Sequence, residues 1–180
     1  MRLRTLFALS IGLAVMPTTV SAQTSAPRIA GYGAIAPLSG DETRAEPGLR
    51  YRLVFNVTKA AATPDKVNPS LDKVARLLNL LDRDGIRPAP GDIVVIVHGA
   101  ATPIVTNSTV YAAKTKARLN PNLDLIEKLS EAGVTVAVCS QALHAGRISA
   151  KQLAPAVRVD LSAMTTLAAL KLRGWALIPD

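Results

Sequence analysis

DIVVIVH, residues 92–98, decides the fold. Its aliphatic residues follow one another without polar alternation, so a strand built from them buries both of its faces. Such runs suit a parallel sheet covered by helices on each side. Working outward, Leu49–Thr58, around RLVFNV, reads as a first strand, and Val134–Cys139 as a third. Ala156–Asp160 and Trp175–Ile178 read as shorter fourth and fifth strands. Helical patterns separate them. Asn68-Pro69 supplies a cap followed by proline at the first helical position. Leu71, Val74, Leu78 and Leu81 then keep one face, and Gly85 ends it. Asn120-Pro121 repeats the device before Leu125, Ile126 and Leu129, and Gly133 stops that helix. Residues 104–118 form a weaker, more polar helical stretch, and a short helix runs from Ser140 to about Gly146. Ser162 caps a last helix through Leu172, with Lys171 and Arg173 near its negative end. Five strands alternating with helices predict an α/β fold, a three-layer α/β/α sandwich with a mostly parallel sheet.

The rest of the chain frames this domain, expected over residues 49–180. Arg2 and Arg4, the apolar stretch Leu6–Met16 and the small residues Val20-Ser21-Ala22 read as an export signal over residues 1–22. That stretch is shorter than the roughly 20 residues a bilayer span needs, and no later segment is long and apolar enough, so no membrane span is expected to remain after cleavage. The expected location is periplasmic or secreted. Residues 23–48, rich in Gly, Pro, Ala and Ser, read as an extended N-terminal segment. Their Gly31-Tyr-Gly33-Ala-Ile-Ala36 superficially matches a dinucleotide fingerprint, but no strand precedes it and no helix pattern follows. The formal charge is +8, and loss of the two signal arginines leaves +6. The charges are scattered and aromatics are few, which argues against a nucleic-acid partner.

The single cysteine, Cys139, excludes an internal disulfide, a CxxC redox pair and a multi-cysteine zinc site. In an α/β sheet, ligands bind beyond the carboxyl ends of the strands. Two polar residues fall there: His98 ends the second strand and Cys139 the third. A cysteine just before a helix meets free N–H groups and the positive end of the dipole, which favour the reactive thiolate. Free cysteines are also among the most buried residues, and those before Cys139 are apolar, so a packed thiol stays open. His98 is a general base or a loop brace. Cys139, His98 and His144 together would suit copper or zinc. No Walker loop, GxSxG or HExxH occurs.

VVIVHGAATPIVTN, NPNLDLIEKLSEAGVTVAVCSQAL and the closing SAMTTLAALKLRGWALIP resemble the DsrE/DsrF-like family over roughly residues 50–178. The order carries the resemblance: a strand ending in HG, then Tyr111, NPN, a helix, a strand ending in cysteine with Gln-Ala-Leu, and a late capped helix running into a strand. It implies an α/β/α fold, homo-oligomers (trimers or hexamers), and persulfide sulfur accepted at the position Cys139 matches, then passed to a partner. No cofactor is implied. From strand-end position and this resemblance at Cys139, Cys139 and His98 are the candidate catalytic pair, and Gly99, Asn107, Tyr111, Ser140 and Gln141 are the candidate binding residues; the resemblance itself carries no role to His98 or Gln141. Two alternatives stand beside the sulfur carrier: a non-catalytic oligomeric binding module, and a metal-binding periplasmic protein.

Overall fold

The computed structural model describes residues 26–180; the expected export signal lies outside them. Five strands form one all-parallel sheet in the order β4-β3-β2-β1-β5. They are β1 (Leu53–Val57), β2 (Ile93–Val97), β3 (Thr135–Cys139), β4 (Val157–Asp160) and β5 (Ala176–Ile178). Every residue of β2 is buried, as its unbroken aliphatic run requires of a central parallel strand. β1 is shorter than the expected Leu49–Thr58. The β2 residues that pair with it start at Ile93, and Arg50 and Arg52 before it turn their side chains to Asp92 instead.

The helices are α1 (Pro69–Arg83), α2 (Ser108–Thr115), α3 (Leu123–Glu131), α4 (Ser140–Ala145) and α5 (Ala163–Leu172). Alternate strand residues divide the core. Phe55, Val57, Val95, Val97, Val136 and Val138 pack with α1, α3 and Leu143 of α4 on one face. Val54, Val94, Ile96, Ala137 and Cys139 pack with Ala163 of α5 on the other. Handedness explains the split. The chain steps from β1 to β4 in one direction across the sheet, then returns to β5 beside β1. Right-handed crossovers therefore send α5 to the opposite face. That single helix leaves a cleft of about 630 Å³ between itself and β4. Among the described residues, no helix is long and apolar enough to cross a membrane.

Three sequence expectations are corrected in detail. Asn120-Pro121 does not cap α3, which starts at Leu123. Instead the Asn120 amide donates to the carbonyls of Ile104 and Thr106 at 2.8 and 2.7 Å, and its oxygen accepts the backbone N–H of Asn122. Residues 104–118 divide into the end of a 3₁₀ turn over Gly99–Val105 and the separate helix α2. Residues 28–34, inside the expected lead-in, are docked against the domain. Ile29 is buried with the α1 core, Asn79 accepts its N–H at 2.7 Å, and Asp72 accepts that of Gly33 at 2.8 Å. Gly33 has φ +61° and lies so close to the α1 backbone that a Cβ there would meet Arg76 N at 2.2 Å.

Candidate functional site

The site forms where chain direction reverses. The connection after β3 runs through α4 on one face; the one after β4 runs through α5 on the other. Crevices outside the strand ends at such switch points are where α/β sheets take ligands. Cys139 is the last residue of β3, in register with Asp160 at the end of β4. The β2–β3 register ends at Val97–Val138, so the next residue, His98, follows beside Cys139, one strand spacing of roughly 4.8 Å across. Asn56 lies near the end of β1. Period-two alternation sets Asn56, His98, Cys139 and Asp160 on the α5 face.

Cys139 precedes α4 and is 6% exposed. Burial pushes its thiol up. Against this stand the N–H groups of Ala163, Ala142 and Gln141 and the Ser162 hydroxyl, and the net effect holds the thiol below the ordinary cysteine value. These groups come from the starts of two helices, α4 and α5. They face the sulfur, although none of the α4 N–H groups forms a regular cap hydrogen bond to it. Thiolate charge is thus favoured by oriented backbone dipoles rather than by a cation.

His98 is half-buried, and its Nε2 donates to Asn56 Oδ1 at 2.8 Å. The neutral ring then carries its free lone pair on Nδ1. Gly99 follows with φ +59°, and a Cβ there would sit 3.4 Å from the Thr58 carbonyl, so the turn after His98 suits glycine. Ser140 Oγ donates to the Leu161 carbonyl at 2.7 Å, with the Gln141 amide 3.4 Å from the same oxygen. Both residues tie the start of α4 to the β4–α5 turn. Asp160 accepts two hydrogen bonds from Arg158, at 2.7 and 3.0 Å, and one from the Thr166 hydroxyl.

The structure therefore brings Cys139, His98, Gly99, Ser140 and Gln141 to one end of the sheet. Asn107 and Tyr111 are placed elsewhere in role. The Asn107 side chain caps α2 by accepting the Val110 N–H at 3.0 Å. Tyr111 is buried in the opposite-face core, and its hydroxyl donates to the Pro64 carbonyl. His144 is exposed on α4, and among the described residues no three His, Cys, Asp or Glu side chains gather as a metal site, against the Cys139–His98–His144 alternative. Sequence reasoning missed Asn56, Asp160 and the second role of Ser162. Ser162 was legible as a cap, but not as a neighbour of Cys139, because that contact depends on β4 lying beside β3.

Fold and site define a parallel α/β protein with a cysteine at its topological switch point. The chain belongs to the DsrE/DsrF-like family, whose profile matches residues 52–179. Membership gives it a sulfur-relay-like fold. It is also similar in fold to a solved protein of unknown function from Methanobacterium thermoautotrophicum. That likeness has 20% identity and a TM-score of 0.55, and covers 72% of this chain and 99% of the other. No curated protein matches.

Proposed function

We propose that this protein is a sulfur carrier that accepts sulfane sulfur on Cys139. The observation that supports the reading is the sulfur's position, facing the N–H groups of two helix starts and the Ser162 hydroxyl. His98, with Nε2 held by Asn56, takes the thiol proton on Nδ1. The Cys139 thiolate attacks the outer sulfur of a persulfide donor, R–S–SH. A sulfur–sulfur bond forms to Cys139 as the donor's own sulfur–sulfur bond breaks. R–S⁻ leaves with the electron pair and recovers the proton. Cys139 is oxidised to the persulfide and the donor is reduced to its thiol, so no further oxidant is required. Incubation with a small persulfide donor is expected to add one sulfur atom to the intact mass of the wild type and none to Cys139→Ser. Equal sulfur uptake by the variant overturns the reading.

One observation favours a second reading, the 6% exposure of Cys139. In that reading the thiol is core packing within a non-catalytic binding module. Its mark is a thiol that reacts with a disulfide reagent only once the protein is unfolded.

A further inference from the structure

α5 lies over β1 and β2, and the cleft of about 630 Å³ beside it is the part of that sheet face it leaves open. The floor carries Arg158 and Asp160 of β4, which share the face of Ala137 and Cys139, their partners in register. The wall is α5, through Thr166, Ala169 and Leu170. The cleft runs along the strands. At their amino ends it is bounded by Thr135, Arg173 and Trp175. At their carboxyl ends it reaches Asp160 and Leu161, one strand spacing from Cys139. Clefts of this volume, with apolar walls and a few polar groups, are where proteins hold small molecules.

The polar groups select the kind of molecule. Among the described residues Asp160 is the only acid lining the cleft, and Arg158 and the Thr166 hydroxyl already occupy it. The Thr165 hydroxyl donates to the Ser162 carbonyl at 3.1 Å, and Ser140 holds the carbonyl of Leu161. Trp175 donates its indole N–H to the Asp92 carbonyl at 3.0 Å, which fixes its ring. What remains is donors. Arg158 meets Asp160 through Nε and Nη2, which leaves Nη1. Arg173 is exposed and has no carboxylate partner among the described residues. Free guanidinium N–H groups along an apolar wall suit a carboxylate on a flexible body. Cys139 itself is buried behind the starts of α4 and α5, so a sulfur that reaches it must stand at the end of a slender group.

We propose that this cleft holds the body of a small anionic persulfide, a short peptide bearing carboxylates, while its outer sulfur reaches Cys139. The inference rests on the sulfur-carrier reading above and names the class of donor for it. Arg158 stands two residues, roughly 7 Å, back along the strands from the level of Cys139. Thr135, which bounds the cleft together with Arg173, stands four residues or roughly 13 Å back. A dipeptide or tripeptide persulfide spans that interval between its outer sulfur and its carboxylates. Arg173 takes a carboxylate and orients the donor. Because it is exposed, its contribution is a modest factor.

The test is the second-order rate of sulfur uptake, followed by intact mass, from the persulfide of glutathione and from that of its diethyl ester, which carries the same persulfide group and no carboxylate. Wild type, Arg173→Gln and Lys116→Gln are compared, and circular dichroism checks that the variants are folded. Lys116 is exposed at the end of α2, on the opposite side of the sheet, so its variant removes the same charge away from the cleft. The wild type is expected to take sulfur several-fold faster from the free acid than from the ester, a preference that weakens with added salt. Arg173→Gln is expected to lower that preference about two- to fivefold, and Lys116→Gln to keep it. Equal rates from both donors in the wild type, or a preference that the two variants alter alike, overturn the proposal and leave the carrier reading standing. Uptake from neither donor removes the carrier reading and this inference with it.

Discussion

At the scale of single residues, the thiol is governed by what points at it. Ser162 serves two ends at once. Its hydroxyl faces Cys139, and its side chain accepts the N–H of Met164 at 3.2 Å to cap α5. Ser162→Ala is expected to move the pH midpoint of Cys139 reaction with a disulfide reagent upward, since one group favouring thiolate is lost. Loss of the cap lowers stability by about 1 kcal/mol. The wild-type midpoint is expected below the ordinary cysteine value of roughly 8.5. A midpoint unchanged by the substitution would show that the hydroxyl has no hold on the thiolate. His98 was visible from sequence because it closes an aliphatic run. Its partner Asn56 was not, because an asparagine inside RLVFNV is unremarkable until β1 and β2 are laid side by side.

At the scale of elements, asparagines join the loops that frame the site. Asn68 caps α1, its N–H donates to Asn122 at 2.7 Å, and its amide donates to the Lys59 carbonyl at 2.8 Å. Asn122 in turn donates from its amide to Asn120, which holds the carbonyls of Ile104 and Thr106. The starts of α1 and α3 and the loops after β1 and β2 are thereby one hydrogen-bonded unit. Asn120→Ala leaves two buried carbonyls without their donor and is expected to cost roughly 2–4 kcal/mol in a urea melt. A loss under about 0.5 kcal/mol, the size of an ordinary surface change, would refute the account. Strands and the long helices were legible in sequence because hydrophobic periodicity reports burial directly. The asparagine unit was not, because cap and brace share the same residue type and the same Asn-Pro signal. The docked lead-in escaped notice for a related reason: one isoleucine and a glycine carry it, with no period to read.

At the scale of the whole molecule, a carboxylate ties the edge strand β5 to the loop after β1 and the start of α1. Asp180 follows β5, and burial pushes its side chain up. The hydroxyls of Ser70 and Thr58 and the N–H groups of Thr58 and Lys59 outweigh this and lower it to about 2. A folded-state value below the ordinary 3.8 means that its stabilisation is complete above that value and disappears as pH falls from 3.8 toward about 2. Asp180→Asn is expected to lose about 1 kcal/mol at neutral pH, discounted for partial exposure. The gap between wild type and variant in denaturant melts should narrow near the acid end of that window. A gap independent of pH would separate the carboxylate from this role. Sheet order has a consequence in time as well as in space. Since β1, the earliest strand, pairs with β2 on one side and β5 on the other, a chain made from its N-terminus leaves one side of β1 unpaired until Ala176–Ile178 arrives. The fifth strand must find the first, the longest closure in the sheet, so the nascent chain stays short of its native state until β5 has been made.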